Sequence, residues 1–446
     1  MFTRVGIKFH GRDLILESGK IAKQASAAVV VRYGDTVSLV TVVAEKRMRQ
    51  GDFMPLTVSY QEKYYATGKI PGGFFKREGR PTDFETLNSR IIDRPIRPLF
   101  PKGWRFETQI MPTVMSSDMG CHPGVLSLIG ASAALEISPI PFDGPVGAVQ
   151  VGRIGGQWLI NPTYTQLEEC DVELIVAGNR QGITMVEGGA AIVPEAEILE
   201  GIFFGYESLL PILDLQDELR QAVGLPKMEV EYVGCSEELA AKIEAMTRPD
   251  LDEAWKLPGK LDRHNRIWEI QQAALAQLKA EGIDLGYEDM FFYQAMDKVE
   301  KSIVRAMIIA GNGRCDGRTL DQVRPISVEV GFLPRVHGSA LFTRGETQAV
   351  ATATLGTRKD ERRIERIEED YFKTFYLHYN FPPYSVAETS NRLQPGRREI
   401  GHGFLAERAL SRVLPAHDDF PYTVRVVSDI TESNGSSSMA TVCGGS

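Results

Sequence analysis

Three short runs combine residue types suited to handling anions. The first is Thr431–Ala440, in which Ser436, Ser437 and Ser438 follow a β-rich stretch, Tyr422–Val427, and open a small-residue helix. A Gly/Ser turn before a helix offers free backbone N–H groups, hydroxyls and the positive end of the helix dipole, which together suit a phosphate. A serine-rich cap with no ligand fits the same residues, and the motif alone leaves both readings open. The second run is Pro395–Arg408, with Arg397 and Arg398 at the start of a helix whose buried stripe would be Ile400, Phe404, Leu405, Ala409 and Leu410. Cations are unfavourable at that end of a helix, so the pair suggests an anion gripped by guanidinium forks; a solvated basic turn is the alternative. Gly401 and Gly403 would permit close backbone approach, and His402 reads as a packing residue.

The third run, Gly72–Pro81, sets Phe74 and Phe75 beside Lys76, Arg77 and Arg80 after a glycine pair. Aromatics that stack bases, interleaved with cations, are the chemistry of single-strand binding; anchoring of the loop in a core is the other reading. Arg90, Arg94 and Arg97 then fall on one face of a helix that Pro95 would kink, and three like charges there suggest an anion between them or a solvated face. The mixed-sign run Arg358–Arg366 reads as a surface or subunit-contact segment.

The elements that must position these runs are repeated. Glu17–Gly19 and Ala27–Val40 are answered by Glu329–Gly331 and Ser339–Ala351, each pair of runs flanking a Gly-acid-Thr turn. Asp93-Arg94-Pro95-Ile96 is answered by Glu407-Arg408-Ala409-Leu410, and Gly130–Ser132 by Gly444–Ser446, both at an offset of 314 residues. At that offset His122-Pro123-Gly124 stands where the second copy has its serines. Between the copies, Ile270, Ala273, Ala274, Leu278 and then Phe292, Ala295, Met296, Val299, Ile303, Ala306, Met307 and Ala310 recur at helical spacing. Residues 1–212, 213–310 and 311–446 are therefore expected to form a first α/β unit, an all-helical linker and a second, C-terminally incomplete unit, with Gly311-Asn312-Gly313 as punctuation. The first copy continues to about Ile212, whereas the second stops at the counterpart of Ser132.

With 43% hydrophobic and 24% charged residues the chain is of ordinary globular composition, and no run approaches a membrane span. A net charge of −9 excludes a protein that coats nucleic acid over its whole surface, so basic residues must be concentrated at a cleft or pore. Five scattered cysteines show no metal-ligand spacing and suit a reducing cytoplasm.

Taken together, Gly72–Pro81, Arg90–Pro101, Pro395–Gly403 and Ser433–Ala440 resemble the polynucleotide phosphorylase family, over the whole chain and in the same order. The resemblance implies an α/β (α+β) fold of duplicated ribonuclease-PH-like domains, of the ribosomal protein S5 domain 2-like βαβα type, joined by an all-α linker. It implies processive 3′-to-5′ phosphorolysis of single-stranded RNA to nucleoside diphosphates, reversible as untemplated polymerisation, with inorganic phosphate as co-substrate and Mg2+. In that family Arg397, Arg398, Ser437 and Ser438, with Ser436, would bind phosphate and the 3′ end. Phe74, Phe75, Lys76, Arg77 and Arg80 would form the constriction of a homotrimeric ring, and Arg90, Arg94 and Arg97 would line the approach. Partners in RNA-degradation complexes are implied; a membrane is not.

Two departures stand out. Lys76 replaces the family's first constriction arginine, keeping charge without the planar fork. The family's metal-binding carboxylates and catalytic lysine fall beyond Ser446, and the first copy has Ile175 at the lysine's position. No metal ligand is therefore expected within this chain, whose own turnover is expected to be low. A non-catalytic RNA-binding or ring-scaffold protein is the alternative.

Overall fold

Four strands begin the first unit: β1 (Thr3–Phe9), β2 (Arg12–Ser18), the largely buried β3 (Ala27–Tyr33) and β4 (Thr36–Met48), which alternates in burial over its first half, form an antiparallel series. The short strands β5 (Leu56–Val58) and β6 (Gln61–Glu62) run parallel to β7 (Phe106–Ser116), which pairs antiparallel with β4. Helix α1 (Asp83–Ile96) starts in a capping box, with Thr82 and Glu85 each bonding the other's backbone N–H. Helix α2 (Pro123–Ile137) is small and aliphatic and is buried along its whole length against β3 and β4. At Gly130 the helix comes so close to the sheet that a Cβ would lie 2.7 Å from a Val40 methyl.

This is a computed structural model, and it describes residues 1–51, 53–230, 234–311, 313–391 and 394–446. Asn312, part of the expected punctuation, lies outside the described residues.

A second sheet, in the order β11-β10-β8-β9, completes the first unit from β8 (Gly147–Ile154), β9 (Gln157–Ile160), β10 (Val172–Asn179) and β11 (Gly182–Ala190). The short helix α3 (Tyr164–Glu169) precedes β10, and α4 (Glu195–Val223) packs on β8, β10 and α2. Helix α4 overruns the expected boundary at 212. Its apolar stripe continues through Leu213, Leu215 and Leu219, which are buried in the first unit's core, so this helix belongs to that unit as far as Val223.

The helical unit comprises α5 (Glu237–Ala254), α6 (Lys260–Ala280) and α7 (Met290–Ile309) around a separate core. Ile270, Ala274, Leu278, Phe292, Ala295, Met296, Val299 and Ile303 of the expected stripe are buried there, while Ala273, Ala306 and Ala310 are exposed.

The second copy repeats the strand order of the first. Strands β12 (Ile326–Val330), β13 (Gly338–Arg344), β14 (Thr347–Gly356), β17 (Phe375–Asn380) and β18 (Thr423–Glu432) lie in the order β12-β13-β14-β18-β17, matching β2-β3-β4-β7-β5. A hairpin, β15 (Arg362–Glu365) and β16 (Asp370–Lys373), stands apart from this sheet. Helices α8 (Arg397–Ser411) and α9 (Ser437–Gly445) begin 314 residues after α1 and α2. The related helices α1 and α8 pack on each other, so the two copies meet through equivalent elements.

In α8 the buried positions are Gly403, Ala406, Glu407 and Leu410; of the expected stripe Leu410 is buried, Ile400, Phe404 and Leu405 are half-buried, and Ala409 is exposed. A pattern of apolar residues alone misses Glu407, whose carboxylate is buried because it accepts from Leu377 N–H and from Lys373.

Candidate functional site

The serine turn and the start of α8 come together through an aromatic bridge. Ser436 caps α9 in the left-handed region, at φ 51°, and is exposed. Ser437 is buried, and its hydroxyl lies 2.8 Å from the Tyr379 hydroxyl. The Tyr379 ring stacks on Phe381 and meets His402 edge-on at 5.1 Å. The guanidinium of Arg398 lies over the Phe381 ring, 5.9 Å from its centroid. Burial raises the Tyr379 pKa, against the opposing effects of the Ser437 hydrogen bond and the Arg398 charge. Burial, Arg398 and Arg90 together push His402 towards its neutral form. Its Nδ1 is buried without a hydrogen-bond partner among the described residues. His402, read from sequence as packing, therefore stands inside the cluster; the signal was its place one turn beyond the arginine pair.

Arg397 diverges from its neighbour. It is exposed, and its Nη1 donates to the Val58 carbonyl of the first copy at 2.6 Å, so one arm of its fork joins the two copies.

The corresponding place in the first copy is filled by protein. At the shared offset Phe84 stands for Arg398, Asn88 for His402 and His122 for Ser436. The hairpin of the second copy inserts there: Arg366 lies 3.6 Å from the centroid of Phe84, and Ile367 joins the first unit's core. Glu368 is buried, accepts from the Tyr164 hydroxyl at 2.8 Å and pairs with Arg366 at 3.2 Å. The run expected as a surface or subunit-contact segment thus leads into a plug between the two copies, because Ile367 and Glu368 follow it directly. Burial, then the nearby Arg366 charge, drive the His122 pKa down to about 3. A neutral His122 accepting from Val125 N–H, with Pro123 and Gly124 where the second copy has Ser437 and Ser438, offers no serine cradle for an anion.

A cleft of about 1680 Å³ separates the two copies. Its walls carry both signs of charge: Arg77, Arg80 and Arg425 stand there with carboxylates such as Glu173, Glu187 and Glu399, so the expected concentration of basic residues is not met in this cleft. Tyr379 also lines it and connects it to Ser437. Phe74 and Phe75 are 94% and 86% exposed, pack edge to face at 5.4 Å and leave the core entirely, which removes the anchoring alternative. Lys76 adopts φ 50° at the tip of that loop, and Glu78 ties its return to Tyr64 N–H.

The arginine face on α1 does not stand as expected. Arg94 pairs with Glu187 of β11 at 3.0 Å. Arg97 is bonded to Asp93 and to the carbonyls of Met54 and Leu56. These partners supply the negative charge that an anion was expected to provide. Arg90 turns instead to α8: a Cβ on Gly401 would lie 2.6 Å from its Nε, and desolvation, Arg94 and Arg398 all weaken its hold on its proton.

Among the described residues, no cluster of three or more His, Cys, Asp or Glu side chains is placed to hold a metal, and no helix is long and apolar enough to cross a membrane.

Comparison with known proteins adds the following. A model described as "3′ exoribonuclease family, domain 1" matches residues 10–141 and 322–446, covering both copies. One described as "3′ exoribonuclease family, domain 2" matches 144–208, and "Polyribonucleotide nucleotidyltransferase, RNA binding domain" matches 238–319. The chain is 56% identical over 443 residues to a polyribonucleotide nucleotidyltransferase of Geobacter sulfurreducens, covering 99% of this chain and 63% of that protein. It is 54% identical over 447 residues to one of Geotalea uraniireducens, covering 100% and 64%. The chain thus spans a little under two thirds of the length of these curated relatives. The crystal structure of rice Rrp46 superposes with a TM-score of 0.39 at 13% identity, covering 49% of this chain and 94% of that one.

Proposed function

This chain belongs to the 3′ exoribonuclease family, and on that premise we propose that it carries the phosphate- and RNA-binding apparatus of a polyribonucleotide nucleotidyltransferase. Single-stranded RNA is shortened from its 3′ end by inorganic phosphate, releasing nucleoside diphosphates, and the reverse reaction adds untemplated tails. The observation that carries the reading is the joining of Arg398, His402 and the Ser437–Ser438 start of α9 through Tyr379 and Phe381, next to the cleft between the copies. Names of the close relatives and the helical-domain match agree with it.

In this reading the amides of α9 and the hydroxyls of Ser436 and Ser438 hold phosphate, with Arg397 and Arg398 offsetting the repulsion between that anion and the phosphodiester. Ser437 shapes the turn through Tyr379. Phe74 and Phe75 stack bases, and Lys76, Arg77 and Arg80 attract the strand at the mouth of a homotrimeric ring. Arg90 contributes at the junction of the copies, while Arg94 and Arg97 hold the approach in shape. The protein works in the cytoplasm.

Magnesium does not fit the described residues. Among the described residues no group of three or more ligating side chains is placed to hold it, and Glu399, Glu407 and Asp429 already accept from Gly396 N–H, from Leu377 N–H with Lys373, and from Asn380. No step through a metal is assigned to them.

The test is phosphate-dependent release of nucleoside diphosphates from a single-stranded homopolymer by the complete gene product. Arg398→Ala is expected to lower kcat/KM by about a hundredfold, the range for removing one transition-state charge contact. Salt-sensitive RNA binding without any release would instead favour the scaffold reading.

A further inference from the structure

The turn that carries the serines is held by donors from three directions. Gly435 and Ser436 both adopt left-handed backbone, at φ 87° and 51°, which swings the chain from β18 into α9. Arg344 donates to the carbonyls of Gly435 and Ser436 at 3.1 Å each, and Thr347 donates to that of Gly435 at 3.2 Å. The third donor comes from another unit: Lys260, at the first position of α6, donates from Nζ to the Ser433 carbonyl at 2.5 Å. Its backbone N–H donates to one oxygen of Glu346 at 2.9 Å, and the other oxygen accepts from the Asn434 side chain at 2.8 Å.

The first copy closes the equivalent turn without outside help. Asp118 there accepts from Thr36 Oγ1 at 2.7 Å, from Gly120 N–H at 2.9 Å and from Arg12 at 2.9 Å. Arg12 belongs to β2, next in the same sheet. In the second copy Arg344, of β13 in the same sheet, serves the turn from within, and Lys260 adds a second cation from the helical unit.

We propose that Lys260 is a positioning residue for the serine turn, tying the helical unit to the phosphate site. The inference rests on the phosphorolysis reading. Carbonyls committed to Arg344, Thr347 and Lys260 cannot swing towards an incoming phosphate, so the turn presents N–H and hydroxyl groups rather than carbonyl oxygen. The helical unit then acts on the site as well as spacing the two copies, and any load on α6 reaches the serines through Ser433 and Asn434.

Hydrogen exchange of the peptide spanning 431–439 tests this, with inorganic phosphate as the probe. Lys260→Ala is expected to speed exchange there severalfold while leaving α7 unchanged. It should also raise the phosphate concentration for half-maximal protection about tenfold, as loss of a charge-assisted hydrogen bond implies. Lys260→Arg should restore both. Glu346→Ala should reproduce both changes, and it decides the matter if Lys260→Ala does not fold. Unaltered exchange in both alanine variants overturns the proposal. Loosening of the turn in a protein that phosphate does not protect would retain the Lys260 tie and overturn its role in phosphate binding, and with it the phosphorolysis reading.

Discussion

Ser437 and Ser438 are adjacent but do different work. Ser437 is buried with its hydroxyl engaged by Tyr379, whereas Ser438 is half-buried and free to meet a ligand. Ser437→Ala would leave the Tyr379 hydroxyl unpaired in a largely dry place, at a cost of roughly 1–3 kcal/mol. Removing both hydroxyls, in Ser437→Ala with Tyr379→Phe, is expected to recover part of that loss, because the shape is kept and no polar group is stranded. Denaturant unfolding of the two single variants and the double variant checks the cycle; strict additivity would show that the contact contributes nothing. At this scale the sequence was legible where chemistry is local. The serines, the arginine pair and the aromatic loop could be picked out by type and spacing. The fates of Arg94 and Arg97 could not, since Glu187 lies on a strand far along the chain and the Met54 and Leu56 carbonyls leave no trace in side-chain pattern. His402 packs edge-on against Tyr379, in line with its reading as a packing residue, but only the tertiary structure shows that the ring it packs on is the one bonded to Ser437.

Among the elements, the hairpin β15–β16 departs furthest from its sequence. Its charges of mixed sign read as a surface or subunit-contact segment, and the turn after β15 delivers Arg366, Ile367 and Glu368 into the first copy of the same chain. Arg362 pairs with Asp83, and Thr67 and Lys69 donate to the carbonyls of Ile367 and Arg366 at the same junction. One apolar residue among charges carries no periodic signal, so only the tertiary structure reveals it. The helices that repeat, α1 with α8 and α2 with α9, were legible because a constant offset survives changes of residue type. The end of α4 was not, since its apolar stripe runs without a break across the expected boundary. Ile367 is 1% exposed, so Ile367→Ala should destabilise the junction by about 2–5 kcal/mol, the range for emptying a packed aliphatic site. Calorimetry would register the loss, and limited proteolysis should show earlier cutting between 358 and 373; an unchanged melting profile with unchanged cutting would mean the plug bears no load.

At the scale of the whole molecule, the two copies share a buried pair of carboxyls. Glu62 of the first copy lies among Tyr60, Glu85, Arg366 and Glu368, and Tyr60 donates to it at 2.6 Å. Burial, reinforced by the Glu368 charge, raises the Glu62 pKa from 4.5 to about 8; Tyr60 and Arg366 act in the opposite sense. The folded chain therefore keeps a proton at Glu62 that the unfolded chain has already released. Stability is fully present below the unfolded value, and it declines as pH rises from there to about 8, where the folded chain loses the proton as well. Above that point two carboxylates face each other across the junction with Arg366 as their shared counter-charge, and the contact between copies is at its weakest. Melting measured by calorimetry across this window should fall for the unsubstituted protein by several degrees, the shift expected for a few kcal/mol in a chain of this size. Glu62→Gln keeps an acceptor for Tyr60 but has no proton to lose, so its melting temperature should stay level over the same range. Parallel curves for the two proteins would show that the pair is not what ties the stability of this junction to pH.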